Sequence, residues 1–171
     1  MSLRTRAGAV AGACTLGICG VASASAGHRS FEKTYPLASR LCANVAKGDG
    51  PKHLRSSAAK VLADCAALEA SFKVAQLTVL STDSTIAQAR AAQHASVLSA
   101  CAGALAHKPS CDRARHKARK ALVSLEQQRI RAAHAYYVAV ETARRTFWKA
   151  IHALPGGADI QADKPIAVEN D

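Results

Sequence analysis

Residues 54–79 read LRSSAAKVLADCAALEASFKVAQLTV. Leu54, Ala58, Val61, Cys65, Leu68, Phe72, Ala75 and Val79 recur at steps that alternate between four and three residues. That spacing holds one apolar stripe along a helix and predicts a coiled-coil-like seam against a neighbouring helix. Helix breakers are almost absent for a hundred residues around it: between Pro51 and Pro155 there is one glycine, Gly103, and one proline, Pro109. Long helices are what such a stretch permits.

Working outward, Pro36, Pro51 and Pro109 suit the first turn of a helix, where the missing N–H would have had no partner. Leu154-Pro155-Gly156-Gly157 is a helix stop. Four helical segments follow. The first runs from Pro36 to about Lys47, with Leu37, Leu41 and Val45 inward. The second carries the seam and is expected to end in Ser81-Thr82-Asp83-Ser84-Thr85, where Asp83 or Thr85 would cap a third helix; Thr85 and Gln88 have capping-box spacing. The third would bury Ile86, Val97, Cys101 and Leu105. The fourth, residues 109–154, repeats Ala118, Leu122, Leu125, Ala132, Tyr136, Val140, Ala143, Phe147 and Ile151. Composition agrees: 39 alanines and seven aromatics among 171 residues argue for close-packed helices over a sheet, and 49% hydrophobic content argues against disorder. The expected fold is an all-α, disulfide-braced antiparallel bundle of three to four helices with a long C-terminal helix.

Both ends differ from this body. Residues 1–26 combine Arg4 and Arg6, a small apolar core, and Ala24-Ser25-Ala26 before Gly27. These are the parts of a secretory signal peptide cleaved near Ala26, so the mature chain is expected to be secreted, periplasmic or otherwise in the cell envelope. Residues 27–154 form the expected bundle domain, with 20 basic and 8 acidic residues. Residues 155–171 hold Asp159, Asp163, Glu169 and Asp171 against Lys164 and read as a flexible acidic tail.

Cys14 and Cys19 leave with the signal, and Cys42, Cys65, Cys101 and Cys111 remain, an even number suited to two disulfides in an oxidising compartment. Cys65 and Cys101 are equidistant from a turn at Asp83, and Cys42 and Cys111 then fall at the same end of the bundle. The expected pairs are Cys65–Cys101 and Cys42–Cys111. Joining Cys42 to Cys65 would need an axial offset of roughly 12 Å to be closed, beyond disulfide reach. A metal site built from His107, Cys111 and His116 lacks the usual ligand spacing. No metal and no cofactor is expected; Tyr136, Tyr137 and His134 are too weak a signal for haem.

The fourth helix carries the most unusual surfaces. Its start holds Lys108, Arg113, Arg115, Lys117, Arg119 and Lys120, relieved only by Asp112. Spread around the helix, they make a diffuse positive field that attracts anionic polymers or surfaces without reading a sequence. Further along, His134, Tyr137, Arg144, Arg145 and Trp148 share a face on which aromatic and basic groups could contact a ligand. With a turn at Asp83, residues beyond about Ala133 would have no partner within the chain, leaving Tyr136, Val140, Phe147 and Ile151 to a fold-back of residues 27–35, a second copy or another helical protein.

Asp64, Glu69, Glu126 and Glu141 lie at separate helical positions with no nucleophile motif or partner histidine, so no catalytic residue is assigned and no enzyme is expected. The expected function is a non-enzymatic binding protein that contacts an anionic envelope lipid or polymer through its basic C-terminal helix. The alternative is a structural or adaptor module that pairs with itself or with another helical protein. Sequence-specific nucleic-acid binding conflicts with secretion.

Overall fold

The computed structural model describes residues 29–102 and 109–166. The fold is all-α: α1 (Phe31–Thr34), α2 (Pro36–Ala46), a 3-10 helix (Lys52–Ser57), α3 (Ala58–Cys101) and α4 (Pro109–His152). Two disulfides brace it. The two long helices have 44 residues each, about 66 Å at the α-helical rise, and run antiparallel as one hairpin.

The turn expected at Asp83 does not exist. Residues 81–85 are interior to α3, and their hydroxyls show why: Ser81 Oγ and Thr82 Oγ1 both donate to the Thr78 carbonyl, and Thr85 Oγ1 donates to that of Ser81. A Ser/Thr cluster can cap a new helix or fold its hydroxyls back onto the preceding turn; without a Gly or Pro to break the chain, the second outcome prevails. α3 instead runs on to Cys101, and the chain has reversed by Pro109, where α4 begins.

The expected disulfides are corrected for the same reason. The pairs are Cys42–Cys65, with Cα atoms 5.9 Å apart, and Cys101–Cys111, 4.7 Å apart. The first staples α2 to α3; the second clasps α3 to α4 beside the turn. The calculated offset for Cys42–Cys65 came from starting the helix at Pro51. The backbone at Ser57 (φ −108°, ψ 10°) separates the 3-10 helix from α3. Counted from Ala58, the two cysteines differ by about three residues in height, roughly 5 Å along the axis.

The seam reads as expected: Leu54, Val61, Cys65, Leu68, Phe72, Ala75 and Val79 are buried, with Ala58 partly so. Tyr136, Val140, Phe147 and Ile151 of α4 are buried in the same core. The expectation that they lack an intramolecular partner is overturned, because α3 is as long as α4 and reaches them. Phe31 and Tyr35 also fold over this region, each edge-on to Phe72 at 5.6 and 5.8 Å between ring centroids. Tyr35, fully buried, donates its hydroxyl to the Val140 carbonyl.

The core is therefore concentrated at one end. Beyond Val79 and Tyr136 toward the turn, only Ile86, Cys111 and Ala118 are buried among the described residues. The molecule has a thick base, where α1, α2 and the C-terminal segment pack on the hairpin, and a two-helix arm. Residues 80–101 of α3 give that arm a length of about 33 Å.

Residues 155–166 are not a loose tail. Gly156 (φ +75°) turns the chain back, and a Cβ at Gly157 would run into the Ile151 carbonyl oxygen, so the reversal is tight. The segment then lies along the base as a strap and buries Asp163, which is 4% exposed. The acidic residues Glu169 and Asp171 lie outside the described residues.

Candidate functional site

The free end of the arm carries the expected cationic cluster. Cys111, held against α3 by its disulfide, fixes the first turn of α4, and the helix then displays Arg113, Arg115, Lys117, Arg119 and Lys120, all exposed. Lys108 lies outside the described residues. Arg113 and Lys120 are seven residues apart, about 10 Å along the axis. This is close to one screening length at physiological salt, so the charges act together on an approaching anion.

Little neutralises them. Asp112 is the one carboxylate in residues 109–125 and reaches only Arg115, at 4.0 Å. Across the hairpin, residues 91–101 of α3 contain no Asp, Glu, Lys or Arg. The patch ends where carboxylates begin: Glu126 takes Arg90 at 2.8 Å and Arg129 at 3.7 Å. Among the described residues, no ion pair engages Arg113, Lys117, Arg119 or Lys120.

The second expected surface divides. His134 and Arg145 are exposed and Tyr137 is half-buried against Tyr136, but Arg144 and Trp148 are buried and build the base. Arg144 grips Glu141 through two bonds of 2.8 Å and donates to the Asp163 carbonyl at 2.6 Å. Trp148 donates its ring N–H to the Asp163 carboxylate at 3.3 Å and lies edge-on to Phe147. They are corrected from contact residues to structural ones, because the strap covers the face that the sequence leaves open. Trp148 is also about 55 Å of helix away from Cys111, so this face and the cationic tip are separate places.

Asp163 and Glu141 are the residues that sequence reading missed. The Asp163 carboxylate accepts from Leu37 N at 2.7 Å and Ala38 N at 3.0 Å. It caps α2, whose own N-cap, Tyr35, supplies no side-chain bond. An acid in a charged tail, some 125 residues from the helix it caps, leaves no local pattern to find. Glu141 accepts from Arg144, Arg145 and the Ile166 N–H. These donors, Arg144 foremost, hold its pKa down at about 2 against their opponent, burial.

Because the folded-state pKa of Glu141 lies below its ordinary value of 4.5, its ionised form contributes stability that is fully present above that value and lost as pH falls toward 2. The contribution is about 3 kcal/mol. Thermal melts are expected to show a falling midpoint across that window, with the dependence flattened in Glu141→Gln. An unchanged acid limb in that variant would remove Glu141 as its source.

The other acids considered for chemistry stand apart from one another. Asp64 lies 3.6 Å from Lys60, Glu69 pairs with Lys73 at 2.7 Å, and Glu126 is held by Arg90. Among the described residues no three His, Cys, Asp or Glu side chains are grouped to hold a metal, and Cys111 is spent in its disulfide. No described helix is long and apolar enough to cross a membrane. The two disulfides fit an oxidising compartment; the signal segment lies outside the described residues. The chain matches no protein-family model, no curated protein and no solved structure.

Proposed function

We propose that the protein is a secreted or envelope-associated, non-enzymatic binding protein that holds an anionic surface or polymer with the cationic end of its helical arm. The observation that carries this reading is the run of exposed cations at the tip, with four of five outside any ion pair among the described residues. A two-helix arm clasped by Cys101–Cys111 presents them away from the base. Phosphate and carboxylate groups at high density are the matching chemistry, and binding is electrostatic and without sequence readout.

Binding of the oxidised protein to phosphatidylglycerol vesicles, phosphatidylcholine vesicles and heparin tests it. Association with the anionic vesicles or with heparin, weakening steeply with salt, is expected; the neutral vesicles should not bind. Each surface-bound cation contributes about 1 kcal/mol, so Arg113→Gln, Arg119→Gln and Lys120→Gln together should weaken binding about a hundredfold. Equal binding by the triple variant, or equal binding to neutral vesicles, would overturn the proposal.

A further inference from the structure

The base has an open side. α2 and the strap cover the hairpin on one flank, but elsewhere α3 and α4 leave a groove of about 780 Å³, lined by Ala67, Val74 and Thr78 from α3 and by Ala135, Ala139 and Thr146 from α4. Val74, in this lining, is 66% exposed. An apolar groove left open between two helices marks an interaction surface.

The relief of the face points to its occupant. The register set by Cys101–Cys111 and continued by Arg90–Glu126 makes Val74 level with Ala139 and Thr142. A projecting residue on α3 thus stands at the height of a depression on α4 of the same hairpin. A two-fold axis parallel to the helices carries each projection onto the other copy's depression, Val74 over Ala139, and leaves every neighbouring helix antiparallel. Such self-complementarity is what an isologous interface requires. The lining residues on α4 span about 27 Å, and two helices side by side are about 18 Å wide. The face therefore offers about 500 Å² per copy and about 1,000 Å² in total, the lower bound for a specific interface.

We propose that two copies of this chain pair through the α3–α4 groove at the base, with the two-fold axis parallel to the helices. The result is a four-helix bundle at the base with both arms pointing the same way. Pairing does not depend on what the arm binds. Its consequence does rest on the anion-binding reading: two tips at one end engage one surface together, which strengthens attachment without new contacts.

Sedimentation equilibrium of the oxidised protein at micromolar concentration should give a dimer that persists in high salt. Ala139→Glu places a charge on the groove floor at a position exposed in the single chain. It should give a monomer with the same melting temperature at concentrations where the parent is dissociated. Mixing the single variants Val74→Cys and Ala139→Cys under mild oxidation should yield a mixed disulfide that neither variant forms alone. The Arg113→Gln, Arg119→Gln, Lys120→Gln variant should stay dimeric, which separates failure of the anion reading from failure of this one. A monomeric parent overturns the proposal, as does a dimer without the mixed disulfide. A monomer whose Ala139→Glu variant melts lower would place part of the same chain in the groove and overturn it equally.

Discussion

Phe72→Ala is expected to lower the stability of the protein by about 4 kcal/mol. The ring is 3% exposed, and deleting a buried Phe typically costs 3–5 kcal/mol through lost transfer energy and the remaining cavity. Phe72 also carries the edge-on contacts with Phe31 and Tyr35, which tie the N-terminal helices to α3, and such pairs add about 0.5–1.5 kcal/mol each. The cavity cannot collapse easily, because α2 is held at a fixed distance by Cys42–Cys65. Urea unfolding followed by far-UV circular dichroism would measure the change. A loss below about 1.5 kcal/mol would mean that the three rings do not form the centre of the base.

Asp163→Ala should cost about 3 kcal/mol, from a position that composition assigns to a tail. The substitution strands the N–H groups of Leu37 and Ala38 and the Trp148 indole N–H. Losing a helix cap costs about 0.5–2 kcal/mol, and an unpaired buried donor about 1–3. The emission of Trp148, the single tryptophan, should shift to the red in the folded variant, and amide exchange in residues 157–166 should rise. Asp163→Asn keeps one acceptor oxygen and should lose less. A variant that melts with the parent and keeps its blue emission would show that the strap is held without its carboxylate.

These two residues mark what was legible in the sequence and what was not. Phe72 belongs to a local repeat, and periodicity places it inward whatever the helix packs against. The same argument found Ala118, Tyr136, Val140, Phe147 and Ile151 among the buried residues of α4. Asp163 acts across 125 residues, and Trp148 and Arg144 take their burial from the strap; no spacing rule reaches that far. The disulfide error has another origin. Ser81 to Thr85 looks like a turn by residue type, but the cluster has no Gly or Pro, and hydroxyls that bond to the turn behind them leave a helix intact. That misplaced turn, together with a helix start read at Pro51 in place of Ala58, moved both cysteine pairs, and the turn alone created an unpartnered arm in the wrong half of α4. The cationic run survived it, because its position depends only on where α4 starts, and Pro109 marks that start.

Arg29 and Ile166, the first and last described residues, are both tied to the base: the Arg29 carbonyl accepts from Gln76, and the Ile166 N–H donates to Glu141. Both described ends therefore lie along the base, on the same side of the arm's far tip. A fluorophore or bead coupled at position 29 or 166 would sit on the base, with the basic tip at the far end of the arm. Attachment at either position orients every copy alike, and force applied between residues 29 and 166 would load the base while bypassing the arm.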